Sequence, residues 1–346
     1  MNTSSVRDVA AHAGVSVGTV SNVLNRPEKV LPETVSRVQA SILALGFIRN
    51  DAARQLRAGH SQTIGFIVLQ AGNPFFNDVA RGAEDAARRE GLSILIGNSD
   101  EDADRERAYL DLFEQQRVHG VLVSPAGDIS VRLENLRRRG IPVVLVDRSG
   151  EGSGVSSVSV DDIAGGRMAV EHLLSLGRRH IAILGAHFEI PQVAERLAGA
   201  SQAVDRVPGA MLEVVEVDEL DALAGRSACD ELIARRPQDR PDGIFAVNDL
   251  VALGLLQALV MTEEVRIPDD IAVIGYDDID FAASAVVPLS SIRQPSRLIG
   301  RRAIELLLKQ AADPTVPPQQ VVFQPELVVR SSTAASHGAA LEDLTR

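Results

Sequence analysis

The 346-residue sequence has a single cysteine, Cys229, which excludes an intramolecular disulfide and a thiolate metal cluster. Its seven histidines are scattered, and none pairs with another at helical ligand spacing, so no metal site is expected. His172, His180 and His187 read as ordinary surface or strand-end residues. No apolar run reaches the roughly 18 residues of a membrane helix, and no secretion signal opens the chain. A soluble, cytoplasmic protein with no membrane partner is expected. Lysine is nearly missing, with only Lys29 and Lys309, so almost all positive charge is arginine. No GxGxxG follows a strand, and there is no P-loop and no GxSxG elbow. Neither an enzyme nor a cofactor is expected.

What is present begins with length. The chain exceeds the roughly 250 to 300 residues that one core serves, so two or more domains are expected. Charge divides it as well. Residues 1–60 carry seven arginines and lysines against four acids, a net +3, so the remainder holds −15 of the total −12. A phosphate-attracting field is thereby confined to one end.

That end has a helical pattern. Val6, Val9, Ala10 and Ala13 recur on one helical face, and Gly14 breaks the run. Ser16 is a candidate N-cap for a second stripe of Val20, Val23 and Leu24. Two short helices across a glycine-containing turn form a helix-turn-helix, whose second helix enters the DNA major groove. Pro32 opens a third segment in which Val35, Val38, Ile42 and Leu45 would cover the pair, and Gly46 closes it.

The wording is more specific than the period. Val9-Ala10, Ala13-Gly14-Val15-Ser16, Thr19-Val20-Ser21, Val23-Leu24-Asn25, Gly46-Phe47, Asn50 and Arg54-Gln55-Leu56 resemble the headpiece of the lactose-repressor (LacI/GalR) family of bacterial transcription factors. The resemblance implies base reading by Val17, Gly18 and Asn22. Only Asn22 offers a polar group, suited to adenine. Ser16, Thr19 and Ser21 would touch phosphates, with Val6 and Asn25 completing the contact set. It also implies that residues 50–60, too short for a stable isolated helix, become a hinge helix on the operator. There Ala53 meets DNA and Leu56 wedges into the central base step. A simple interdomain linker is the alternative.

From Thr63 onward, apolar runs that read as buried parallel strands alternate with helical stretches of about ten to fifteen residues, the pattern of doubly wound α/β lobes. The strands are Ile64–Leu69, Ser93–Ile96, Gly120–Val123 and Pro142–Val146, then His180–Leu184, Leu212–Val215, Gly243–Val247 and Ile271–Gly275. Ligands in such sheets bind beyond the carboxyl ends of the strands. Those ends, with the segments around them, carry Asn73, Phe75, Phe76, Asp147, Arg148, Arg196, Asn248, Asp277 and Gln294. Carboxylates, guanidinium groups and amides suit vicinal hydroxyls, and aromatic rings suit the apolar face of a sugar. Taken singly, Asp147 and Asp277 are also plausible helix caps, Phe75 and Phe76 core, and Arg148 surface.

The body, about 61 to 330, is similar to periplasmic sugar-binding proteins of the ribose-binding type and to LacI/GalR effector domains, where those nine positions contact a pentose. One departure is Leu220, which stands where an aromatic often stacks. The expected fold is an all-α helix-turn-helix headpiece followed by a type I periplasmic-binding-protein-like α/β core of two doubly wound parallel-sheet lobes. The headpiece spans 1–49, the hinge 50–60 and the core 61–332. One lobe comprises 61–161 with 295–322, and the other 162–294 with 323–332. Gly150 to Ser157 reads as a loop, and 333–346 as a flexible tail without tetramerising leucine heptads.

The resulting expectation is a repressor that binds a pseudopalindromic double-stranded DNA operator as a homodimer. Its effector would be a sugar, a pentose or deoxyhexose. A nucleobase or nucleoside corepressor, or a protein coeffector, is the alternative. A solute-binding protein of a transport system is more distant, because it would need a secretion signal.

Overall fold

The computed structural model describes residues 4–47 and 61–334, and Ala53 and Leu56 lie outside them. Two compact units result, 1–60 and 61–346.

In the first unit, α1 (Val6–Ala13) opens on a reciprocal cap: Ser5 Oγ accepts from Asp8 N while the Asp8 carboxylate accepts from Ser5 N at 2.7 Å. It ends at Gly14, whose φ of +64° is the left-handed conformation glycine tolerates. The second helix, α2 (Val17–Asn25), is capped by Ser16, whose Oγ accepts from Thr19 N at 3.0 Å. Pro32 starts α3 (Pro32–Ala44). The three helices enclose Val9, Ala10, Ala13, Val20, Val23 and Val38.

The second unit begins with β1 (Thr63–Val68), α4 (Pro74–Arg89), β2 (Ser93–Asn98), α5 (Ala103–Gln115), β3 (Gly120–Val123), α6 (Ser130–Arg138), β4 (Val143–Val146) and β5 (Ser156–Val160). The chain then crosses to a second lobe. This contains α7 (Asp162–Ser175), β6 (His180–Gly185), α8 (Pro191–Val204), β7 (Met211–Glu216), α9 (Ala222–Ala234) and β8 (Gly243–Ala246). It continues with α10 (Asp249–Thr262), β9 (Ala272–Asp277), α11 (Asp280–Ser284) and β10 (Ser290–Arg293). The chain returns for α12 (Ser296–Ala312) and β11 (Gln320–Phe323), and crosses a third time into β12 (Glu326–Val328).

The sheets run β11-β5-β4-β3-β1-β2 and β12-β10-β9-β8-β6-β7. Every strand pair is parallel except β10 with β12. Three helix pairs approach backbone to backbone through glycines: Gly82 and Gly300 between α4 and α12, Gly166 and Gly199 between α7 and α8, and Gly225 and Gly254 between α9 and α10. A Cβ at any of the six would overlap main-chain atoms of the facing helix.

Four expectations need correction. Ser156 and Ser157 belong to a fully buried strand, not a loop. Their hydroxyls find partners inside the fold, since Ser156 Oγ accepts from Gln319 N at 2.9 Å and Ser157 Oγ from Gly150 N at 3.0 Å. That is how a serine-rich segment sits in an interior. Second, β2 and β7 are edge strands, leaving Leu95 and Ile96 44% and 49% exposed and Met211 and Val214 51% and 46%. Third, the tail does not begin at 333. Ser332 and Thr333 are buried, with Ser332 Oγ donating to Val273 O and accepting from Ser290 N at 2.8 Å. Fourth, His172 is partly buried by the same closure, its Nε2 lying 2.7 Å from Thr333 Oγ1. Among the described residues no helix is long and apolar enough to cross a membrane.

Candidate functional site

In the headpiece, α2 presents Val17, Gly18 and Asn22 to the outside, with Ser16 and Asn25 at its two ends. All three expected phosphate contacts already have intramolecular partners: Ser16 Oγ lies 2.9 Å from Thr19 Oγ1, and Ser21 Oγ accepts from Asn25 Nδ2 at 3.3 Å. Val6 is half-buried against the small core.

The second candidate lies between the two lobes at the carboxyl ends of their strands. Seven of the nine expected residues line one cleft: Asn73, Phe75, Phe76, Asp147, Arg196, Asn248 and Asp277. Asn73 caps α4, its Oδ1 accepting from Phe75 N at 2.9 Å. Its Nδ2 reaches across the lobes to Asp277 Oδ2 at 3.0 Å. Gln294 stands behind the cleft wall and donates to the other oxygen, Oδ1, at 2.8 Å. Asn248 caps α10 and donates to Leu220 O at 2.9 Å. Phe75 and Phe76 meet edge to face at 5.1 Å and form an apolar wall. Leu220, buried and on the cleft, supplies a second apolar surface without a ring.

Arg148 is the misplacement. It lines a neighbouring pocket with Ser149, Asp161 and Glu195. Asp147 and Arg148 are consecutive, so which of them enters the cleft depends on local backbone shape. Asp147 has φ +56°, a left-handed conformation uncommon for a residue with a side chain. Asp277 also departs from the usual region, at φ +105°. Strained backbone of this kind collects at functional sites. Residues missed by sequence reasoning include Glu101 and Gln192, both on loops or helix starts without a motif. Gln192 donates to the main-chain oxygen of Asp147 and, at 3.3 Å, to its Oδ2.

The electrostatics are dominated by buried carboxylates around one guanidinium. Burial, then the negative charge of Asp162, pushes Asp147 well above the usual carboxylate range, while Arg196 pulls it back. Burial raises Asp277 to about 6 against the opposing charge of Arg196. Burial works against the charge of Arg196, but Asp162 and its neighbours more than offset that. Arg196 is held on three sides: Nε donates to Asp162 Oδ1 at 2.8 Å, one terminal nitrogen donates to Val247 O at 2.8 Å, and its plane lies 3.7 Å over the Tyr276 ring. The buried polar atoms lining the cleft without a hydrogen-bond partner are Asp147 Oδ1, Gln192 Oε1 and Glu101 Oε2, with Gln294 Oε1 just behind. Two are amide oxygens, which accept, and two are carboxyl oxygens, which accept when ionised and donate when protonated. A ligand here would supply polar hydrogens to the amide oxygens and an apolar face to the rings.

Residues 5–50 match the family model described as bacterial regulatory proteins, lacI family, and residues 170–333 one described as a periplasmic binding protein-like domain. The HTH-type transcriptional repressor PurR of Vibrio campbellii is 33% identical over 334 residues, 94% of this chain and 98% of the relative. The lac repressor dimer bound to operator and the anti-inducer ONPF superposes with a TM-score of 0.81 at 26% identity, covering 96% of this chain and 100% of that one. A LacI family regulator from Enterococcus faecium with bound ribose gives 0.71 at 29% identity, over 79% of this chain and 98% of that one.

Proposed function

Since the chain belongs to the lacI family of bacterial regulatory proteins and is a DNA-binding regulator, we propose that it is a homodimeric repressor whose operator affinity is set by a small ligand held between the lobes. The observation that carries this reading is the interlobe cleft, where buried amide and carboxyl oxygens stand without partners beside an apolar wall. The exposed apolar edges β2 and β7 are the surfaces we assign to the partner copy, in line with the dimeric lac repressor.

The effector we assign is a nucleobase or nucleoside acting as corepressor, in place of the sugar suggested by the strand-end residues. Similarity over almost the whole length to repressors named PurR favours it. So does the chemistry: a flat ring with several N–H donors fits between Phe75, Phe76 and Leu220 and meets the unpartnered oxygens. A pentose is the second reading, favoured by the ribose-bound neighbour and by the carboxylate pair Asp147 and Asp277. Ligand and operator would be linked by a coupling energy of about 1 to 3 kcal/mol, felt reciprocally by both sites.

A selection of palindromic duplexes from a random pool, followed by anisotropy titration with adenine, guanine, hypoxanthine, uracil and ribose, tests this. The expected result is selective duplex binding, tightened by a nucleobase. Tightening or release by ribose alone would move the effector assignment to the second reading. No preference for any duplex over random DNA would refute the function.

A further inference from the structure

The two lobes share one architecture, yet they treat the cations at one end differently. In a parallel α/β lobe each helix ends where the next strand begins, so helix carboxyl ends gather on the face away from the cleft, and basic side chains there complement the helix dipoles. In the second lobe those side chains are engaged. Arg206 pairs with Glu171 at 3.3 Å, Arg235 with Glu213 at 2.8 Å, Arg236 with Asp239 at 2.6 Å and Arg266 with Asp270 at 2.6 Å, while Arg178, Arg179 and Arg240 donate to main-chain oxygens. In the first lobe Arg137 and Arg138 share Glu134, at 3.5 and 3.0 Å, and Arg139 pairs with Glu114. Further cations there are left over. The exposed side chains of Arg88 and Arg89 at the end of α4, Arg117 ahead of β3 and Lys309 near the end of α12 make no hydrogen bond or ion pair among the described residues. Glu84, Asp85 and Glu90 are the acids nearest Arg88 and Arg89 in sequence, and none forms an ion pair with them; Glu305, one turn before Lys309, is taken by Arg302 at 2.8 Å. Helix dipoles account for basic residues in both lobes, but not for their being unpaired in one alone.

We propose that this face of the first lobe is a second surface for duplex DNA, meeting sugar-phosphate backbone outside the stretch held by the helix-turn-helix. The chain enters the lobe on the same face: Ser61 N donates to Arg117 O at 3.0 Å, and Ser93 N donates to Gln62 O at 2.9 Å. The free cations stand ahead of β2, β3 and β11, so they run from one edge of the six-stranded sheet through its middle to the other. Six strands spaced about 4.8 Å apart make a row about 24 Å wide, the length of about seven base pairs at about 3.4 Å each. A small anion touches one such group, whereas a charged backbone touches the row. Arginine, which forks onto phosphate oxygens, supplies all of these cations but Lys309. The rest of the core repels a polyanion, because residues 61–346 carry a net −15, so unpaired cations confined to one face set where DNA can approach. The inference uses the DNA binding of the family and does not depend on which ligand the cleft takes.

The test uses the full-length protein and two duplexes: a selected operator alone, and the same operator extended on each side by about two helical turns of random sequence. Anisotropy reads the slope of log affinity against log salt, which changes by about 0.9 for each phosphate contact. On the long duplex the parent slope should be steeper by about 2, one contact from each subunit of a dimer. That is an extra loss of affinity of about tenfold between about 50 and about 200 mM salt. Arg88→Gln, Arg89→Gln, Arg117→Gln and Lys309→Gln combined should remove this difference and leave the slope on the operator alone unchanged. Equal slopes on the two duplexes for the parent, or a variant that keeps the parent's steeper slope, overturn the surface. So does an equal flattening by Arg206→Gln, Arg226→Gln, Arg236→Gln and Arg266→Gln combined, which remove the same charge from exposed positions of the second lobe.

Discussion

Replacing Arg196 by leucine tests how the cleft is built. Its guanidinium is 6% exposed and joins three elements: Asp162 at the start of α7, the carbonyl of Val247 after β8, and the face of Tyr276 in β9. Leucine fills much of the volume but leaves the Asp162 carboxylate, 2% exposed, without its cation. Breaking a buried pair from one side costs about 3 to 5 kcal/mol, because the remaining charge stays buried. At about 2 to 4 °C per kcal/mol for a unit of this size, calorimetry of the full chain near neutral pH should show Tm falling by about 6 to 20 °C. Arg196→Leu combined with Asp162→Leu should recover part of the loss, since the carboxylate paired directly with the guanidinium is then gone as well. Asp147 and Asp277, now held down by Arg196, should bind protons more readily in the single variant, so its penalty should shrink with acid. A fall below about 2 °C would refute the reasoning and place this pair with exposed ion pairs of little net worth.

The same packing has further consequences. Asp277, at about 6 in the folded chain, lies about two units above an ordinary carboxylate, so the folded form binds the proton more tightly. Stability relative to Asp277→Asn should therefore rise by about 2 kcal/mol as pH falls from about 7 to about 4, and a flat difference in urea midpoints would contradict the burial argument. Gly166→Ala should destabilise, although alanine favours helices, because its Cβ would overlap the backbone of Arg196. The cost should be about 1 to 3 kcal/mol, and a stabilised variant would show that α7 and α8 can separate freely. Asn22→Ala should relax base preference at one operator position by about 1 to 3 kcal/mol, and uniform weakening across sequences would assign Asn22 to the phosphates.

The headpiece was legible because its apolar spacing, caps and turn glycine act locally, within a few residues of Ser5, Gly14 and Ser16. Central strands such as Val143–Val146 were legible for the opposite reason: burial on both faces demands an unbroken apolar run. Edge strands carry equally apolar words, so the exposure of Leu95 and Val214 depends on strand order, which no single segment encodes. The buried serines of β5 concealed a strand because their partners, Gln319 and Gln320, lie far along the chain. Within the cleft, the strand-end rule placed Asp147 and Asp277, but it could not separate Asp147 from Arg148 or find Glu101. Those positions follow from backbone dihedrals in loops.

The chain passes between the lobes three times: at Asp161, at Gln294–Pro295, and between Phe323 and Glu326. Connections this short admit a pivot about the line joining them and little sliding. Gln294 belongs to one of these connections and is also bolted by its amide to Asp277, while Asn73 of the opposite lobe grips the other carboxylate oxygen. The axle and the grip of the jaw thus meet in a single carboxylate, and anything that competes for its two oxygens acts directly on the angle between the lobes.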